Sequence, residues 1–403
     1  MTRIIAPLAL CSVVIGGCVH QEVITINATP ANAAVADVSE GLLLDVGITI
    51  FDANVPDEIK EQNELRLVAG VRTAEARYMP YVLRDTLQKT GHWGAVRVVP
   101  RASDFVDLMV AGRIETSDGE MLVLSVTAYD ATGRLWIDDK EYSDLAGKLN
   151  YREDINTTRQ DPFQDLYNQI ANDLLAKREA MALKDVNRIR EVAQLRFAAD
   201  ISPDAFGKYI EEDDGRVQLS RLPARDDPML QRVQKIRERD NLFIDTLDQH
   251  YGVFYQQVKG AYSDWRRFNY DEVVELRRLE REIRRRTIAG AALIVGGLAV
   301  DANSDSNYAS YAGRVGALVG LSSILSTMPL RPEALVHAET MRELGDTFDA
   351  EVRPAVLEVE GKTITLSGSV DSQFEQWRDL LRDIYVTETG LPEIEGQQGP
   401  PDG

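Results

Sequence analysis

The sequence predicts an α+β protein: an N-terminal α/β sandwich, a long helical middle and a small C-terminal α/β module. Three observations carry this. Between residues 41 and 150 several segments alternate apolar and polar residues with a period of two, as half-buried strands do. From about residue 228 to 286 apolar residues recur every three or four positions, the period of an amphipathic helix. From 355 to 385 two short strand-like runs precede one more helical stripe. A chain of 403 residues holds two or three domains at roughly 100–200 residues each.

At the N-terminus a positive charge at Arg3 precedes a short apolar stretch that ends Ile15-Gly16-Gly17-Cys18. A basic start, an apolar core and small residues before a cut site are the pattern of a secretory signal. The run Ile15 to Cys18 resembles the lipobox of bacterial lipoproteins. The resemblance implies that the Cys18 thiol is acylated, that residues 1–17 are removed and that Cys18 becomes the lipidated N-terminus, carrying several acyl chains such as palmitate. Several acyl chains on one residue anchor a protein stably where a single chain holds it marginally. Val19 stands where an aspartate would, in the enterobacterial rule, favour the inner membrane, so the expected address is the outer membrane, periplasmic side. Cys11 lies in the removed segment, which leaves no thiol pair for a disulfide. No run reaches the ~18 consecutive apolar residues of a spanning helix. The net charge of -20 opposes attraction to nucleic acid, and no nucleic-acid partner is expected.

Residues 18–40 are polar and alanine-rich and read as a tether or, through Val23-Ile24-Thr25-Ile26, as a first strand. The α/β domain spans 41–182. Leu44, Val46, Ile48 and Ile50 share one strand face, and a helix follows over about Thr73 to Thr90, with Met79, Val82, Leu83 and Leu87 on one side and Gly91 past its end. Val96 and Val98 mark a second strand. Val106, Leu108, Val110 and Ile114, then Leu122, Leu124, Val126 and Ala128, then Leu135 to Tyr142 form a meander turning at Ser117-Asp118-Gly119 and Thr132-Gly133. Asp161-Pro162-Phe163-Gln164 reads as an N-cap, a proline at the first helical position and a glutamine placed to close a capping box.

The order strand, helix, strand, meander, helix, with Asp107-Leu108-Met109-Val110-Ala111-Gly112 opening the third strand and the turn Tyr129-Asp130-Ala131-Thr132-Gly133-Arg134-Leu135-Trp136, resembles periplasmic lipoproteins of the CsgG, LpoB and TolB-amino-domain type. About a quarter of the chain carries the resemblance. It implies a part in assembling or regulating an envelope machine and brings no catalytic residues with it.

A helical region spans 183–332. Phe243, Leu247, Tyr251, Phe254 and Val258 make a stripe that packs within its own chain or against another subunit, and Leu276, Leu279 and Ile283 continue it. The arginines Arg277, Arg278, Arg281, Arg284, Arg285 and Arg286 follow, then apolar, glycine-rich chain. Residues 287–328 read as a helical hairpin in which Gly290, Gly296 and Gly297 on one arm, and Gly313, Gly316 and Gly320 on the other, let helices approach closely. The hairpin is a packed core or homo-oligomer contact, or it enters a bilayer with Arg281, Arg284, Arg285 and Arg286 on lipid phosphates. The arginines also suit a solvated face paired with Glu272, Glu275, Glu280 and Glu282. Residues 333–390 form the last module: strands Ala355 to Val359 and Thr363 to Val370, then a helix, Ser372 to Tyr385, that turns Phe374, Trp377, Leu380, Leu381 and Ile384 inward. Val359 to Val370 resembles the strand pair of BON domains, which implies contacts with phospholipid or envelope proteins. The acidic tail 391–403 reads as disordered.

No enzyme motif emerges. His20, His92, His250 and His337 have no zinc spacing, and no phosphate loop or Gly-x-Ser-x-Gly turn is present. The loop Asp301 to Asn307 starts like a calcium loop but has Ser306 and Ala312 where glycine and glutamate are needed, so no metal and no cofactor beyond the covalent lipid on Cys18 is expected. The expectation is a non-enzymatic scaffold or regulatory subunit of an envelope assembly, with envelope proteins as partners. A pore or secretion-channel component built from the hairpins is the alternative, and a cell-wall hydrolase the third reading.

Overall fold

The computed structural model describes residues 29–151, 160–224, 226–298, 336, 339–340, 342–343, 355–359, 362–366 and 368–389. It is a mixed α+β architecture with a sheet domain at the N-terminal end, a long helix in the middle and a hairpin and helix at the C-terminal end. Cys18, the loop 301–310, the arm carrying Gly313, Gly316 and Gly320, and the tail 391–403 lie outside the described residues.

Strand β1 (Val46–Thr49) sits between β2 (Val96–Val99) and β3 (Leu108–Ser117), parallel to both. Strands β3, β4 (Met121–Asp130) and β5 (Leu135–Leu145) run on as an antiparallel meander, giving the order β2-β1-β3-β4-β5. Alternation in the sequence predicts one buried face for β1. The strand is instead buried at every position, because a central parallel strand is covered on both sides. Gly47 fits there by lacking a side chain: a Cβ would lie 2.7 Å from Met109 Sδ.

Helix α1 (Ile59–Glu64) leads to α2 (Ala69–Thr90), which starts one turn before the predicted Thr73 and ends at Gly91 in the left-handed conformation, φ 71°. Pro80 lies inside α2 and has no N–H to give the carbonyl of Ala76, four residues back. The amide of Phe51 donates to that carbonyl at 3.0 Å, so the proline creates a docking point for the chain leaving β1. Two aspartates tie the strand ends together. Asp107 Oδ2 accepts the amide of Asp45 at 3.0 Å, while Asp130 accepts the amide of Thr132 and the indole N–H of Trp136, both at 2.9 Å.

Helix α3 (Gln164–Glu179) packs on β5 and α2. The predicted capping box does not form: Asp161 Oδ1 accepts the amide of Phe163, but the Gln164 amide reaches Thr86 and Asn168 instead of turning back. Helices α4 (Leu183–Ile201) and α5 (Pro203–Phe206) follow. A hairpin that the apolar pattern does not reveal comes next, β6 (Ile210–Asp213) with β7 (Arg216–Leu219). The stretch before β1, read as tether or strand, crosses the domain surface from residue 29: the amide of Thr29 donates to Asp165 and that of Ala34 to the carbonyl of Thr90.

Helix α6 (Pro228–Leu298) is 71 residues long. Its backbone stays helical through the change of chemistry at Thr287, so Gly290, Gly296 and Gly297 share one helix with Arg281, Arg284, Arg285 and Arg286 and no new arm begins there. Phe243, Leu247, Tyr251, Phe254 and Val258 are all buried against the same chain. After β8 (Ala355–Val359) and β9 (Lys362–Leu366), helix α7 (Val370–Thr389) returns to pack on α6 and α4.

Candidate functional site

The features with the densest buried chemistry lie along one line, the seam where α6 crosses the sheet domain. Its apolar stripe supplies the burial and polar residues on the same face supply the register. Near the start of α6, Asp240 accepts the Trp377 indole N–H at 3.0 Å and faces Arg378 at 3.4 Å, which brings in α7. Arg378 also pairs with Asp200 of α4 and lies 4.5 Å from the ring of Phe105. Two turns on, Asp248 accepts the amide of Val98 at 2.8 Å and pairs with Arg84 at 2.9 Å. Val98 lies on β2, the edge of the sheet, so α6 covers an edge that would otherwise offer open backbone groups.

The centre of the seam is almost wholly buried. Tyr262 of α6 and Ser117 of β3 both donate to Glu75 Oε1, at 2.8 and 2.6 Å, and Arg72 Nε comes within 3.2 Å of the other carboxylate oxygen. Glu75 is 0% exposed. Burial pushes its carboxyl up, against the opposing pull of Arg72 and the two hydroxyls. One turn along α6, Arg266 meets Asp161 at 3.0 Å, with side chains 4% and 5% exposed, and stacks 4.1 Å from the Tyr262 ring. Burial alone would push the Arg266 guanidinium down; Asp161 and then the surrounding tyrosines hold it up. Tyr78 stacks on Tyr255 at 4.8 Å and meets Tyr262 edge-on at 4.8 Å, closing the cluster. Burial raises the phenols of Tyr78, Tyr167 and Tyr262, so they act as hydroxyl donors and not as acids.

At its far end the seam fastens on the β3–β4 turn. Asn269 Nδ2 donates to the carbonyl of Asp118 at 2.7 Å, and Arg277 pairs with Asp118 at 2.6 Å and with Glu120. The sequence places Arg277 in the arginine run; the structure turns it onto the sheet domain. Gly119, φ 87°, permits the approach, since a Cβ would fall 2.6 Å from the carbonyl oxygen of Arg266. Arg277 makes the last ion pair between α6 and the sheet domain among the described residues, and the helix runs 21 residues further, to Leu298.

Arg281, on that extension, is exposed. Arg284, Arg285 and Arg286 follow it on the same helical backbone with Gly290, Gly296 and Gly297. The structure therefore places these predicted residues on the helix that also carries Tyr262, Arg266 and Asn269, in the stretch beyond Arg277. The cluster itself, Glu75, Asp161, Tyr262, Arg266 and Asn269, is absent from the sequence-based candidates. One signal points to it: Glu75 stands four residues before Met79 on the buried side of α2, a carboxylate on an apolar stripe. Among the described residues no group of three or more His, Cys, Asp or Glu is arranged to hold a metal ion, and no helix is long and apolar enough to cross a membrane. Set beside protein-family models, curated proteins and solved structures, the chain matches none.

Proposed function

We propose that this protein is a lipoprotein held to the outer membrane through lipid on Cys18, facing the periplasm, where it serves as a non-enzymatic scaffold or regulatory subunit of an envelope assembly. One observation carries the scaffold reading. Helix α6 is clamped to the sheet domain by Asp248, Tyr262, Arg266, Asn269 and Arg277 and then continues for 21 residues, about 30 Å at 1.5 Å per residue. Buried ion pairs hold a rod in a set direction; they do not arrange a nucleophile, a base and a vacant reaction centre. The rod presents Arg281 and the residues beyond it to envelope proteins or to a second copy of the chain.

The test joins two measurements in cells that express the native chain. Labelled palmitate should enter the wild type and not Cys18→Ser, and the variant should leave the membrane fraction. Photocrosslinkers at Arg281 and Arg285 should capture a discrete envelope protein or a second copy. A soluble, unlabelled wild-type product would remove the anchor from the proposal, and crosslinkers that capture nothing would remove the scaffold. Ion conduction by a purified ring would replace it with the channel reading.

A further inference from the structure

Beside the far end of the seam lies a cleft of about 380 Å³ between α1, the β3–β4 turn and α6. That volume is in the range of small-molecule sites, roughly 300–1,000 Å³. Three polar side chains line its base, Arg72, Ser117 and Asn269, none more than 8% exposed. Asn269 spends its N–H on Asp118, and its Oδ1 is buried with no hydrogen-bond partner among the described residues. A buried acceptor without a donor is destabilising, so this atom calls for an incoming N–H or O–H.

Local caps shape the backbone around the cleft. Asn54 and Arg66 both line it, and both hold left-handed backbone, φ 49° and 52°. Arg66 closes the C-terminus of α1 in that conformation, its amide on the carbonyl of Asn63 and that of Leu67 on the carbonyl of Gln62, while the amide of Asn54 donates to Asp52 Oδ1. This cap sets the Arg66 guanidinium at the rim, paired with Glu272 at 3.8 Å.

The lining discriminates among ligands. Among the described residues it contains no aromatic ring, so a nucleobase or a sugar has no stacking platform. Glu61, Glu115 and Glu272 oppose a polyphosphate. Leu67, Val273 and Leu276 offer apolar wall between groups of both signs. The guanidinium of Arg72 donates Nη1 to the carbonyl of Ile114 at 3.2 Å and holds Nε 3.2 Å from Glu75 Oε2, which places a buried cation beside the cleft.

We propose that this cleft binds a short aliphatic peptide, its free carboxylate toward Arg72 and Arg66, its ammonium toward the glutamates of the mouth, and an N–H donated to Asn269 Oδ1. No bond is made or broken, and the site is distinct from the α6 extension. The experiment is calorimetric titration of the detergent-solubilised full chain with alanyl-leucine, with its C-terminal amide, and with glucose and inorganic phosphate as controls. Saturable binding of the dipeptide is expected, weakened about tenfold or more by amidation through loss of a charge-assisted hydrogen bond. Asn269→Ala should abolish it. Because that change also removes the tie to Asp118, Val273→Trp serves as the second variant: it fills the cleft from α6 without touching the polar base, and should abolish binding with the melting midpoint unchanged. The proposal is overturned by no saturable heat up to millimolar dipeptide, by equal affinity for the amide, by binding that survives Val273→Trp, or by glucose or phosphate binding in place of the dipeptide.

Discussion

Arg266 and Asp161 show how a single contact outranks local chemistry. Pulling two charges from water is unfavourable unless each finds the other, and removing one partner strands the second in a dry site. Arg266→Ala or Asp161→Ala should each destabilise the protein by about 3–5 kcal/mol, measured by urea unfolding, whereas Arg266→Met combined with Asp161→Leu should recover most of the loss. A pair of single variants within about 0.5 kcal/mol of wild type would mean that water already solvates the seam. Asp144 provides a separate, pH-dependent test. Burial pushes its carboxyl up to about 6, helped by Asp165 and Asp161 and resisted by the amides of Leu145 and Leu166. The folded state then holds this proton more tightly than the unfolded chain does. Its contribution is fully present below the ordinary value near 3.8 and is lost as pH rises to about 6. Asp144→Asn should flatten the urea midpoint between pH 4 and 6, and an unchanged slope would assign that titration to other groups.

The elements differ in how far they were legible in the sequence, for physical reasons. Strands β3, β4 and β5, the glycine that ends α2 and the stripe of α6 follow from periodicities within a dozen residues, and all are present. The β6–β7 hairpin does not show in the apolar pattern because Glu211, Glu212 and Asp213 put charge where a half-buried strand alternates. Its turn was nonetheless visible: Asp214 and Gly215 both have positive φ, 46° and 70°, the two-residue pattern that closes hairpins. Asp161 was read from its neighbours as a helix cap, while its main partner stands 105 residues away. Glu75 and Tyr262 are 187 residues apart, and the cleft draws on separate segments from Asn54 to Arg277, so no local window contains either site. Two substitutions probe the element contacts. Gly119→Ala adds a Cβ to a left-handed residue pressed on α6 and should lower stability by about 2 kcal/mol in thermal unfolding. Trp377, 2% exposed and 5.0 Å from Phe243, anchors α7; Trp377→Ala should cost about 3–5 kcal/mol and raise protease sensitivity in the C-terminal helix. Retained protection would show that Arg378, with Arg101 paired to Asp371 at 3.3 Å and to Glu375, suffices to hold α7.

Across the whole molecule, the organising feature is one continuous helix. Leu242 and Arg281 are both exposed and stand 39 residues apart on α6. Spin labels at these sites should report a separation near 58 Å at about 1.5 Å per residue, with a narrow distribution. A shorter or broad distance would mean a break in the rod. A stiff shaft gripped along one part of its length multiplies small rotations at the grip: beyond Arg277, pivoting by about ten degrees would sweep the tip sideways by roughly 5 Å over its 30 Å reach. The contacts of Tyr262 with Glu75 and of Asn269 with the β3–β4 turn lie within that grip. A small rotation at the grip would thereby become a larger displacement at the distant end.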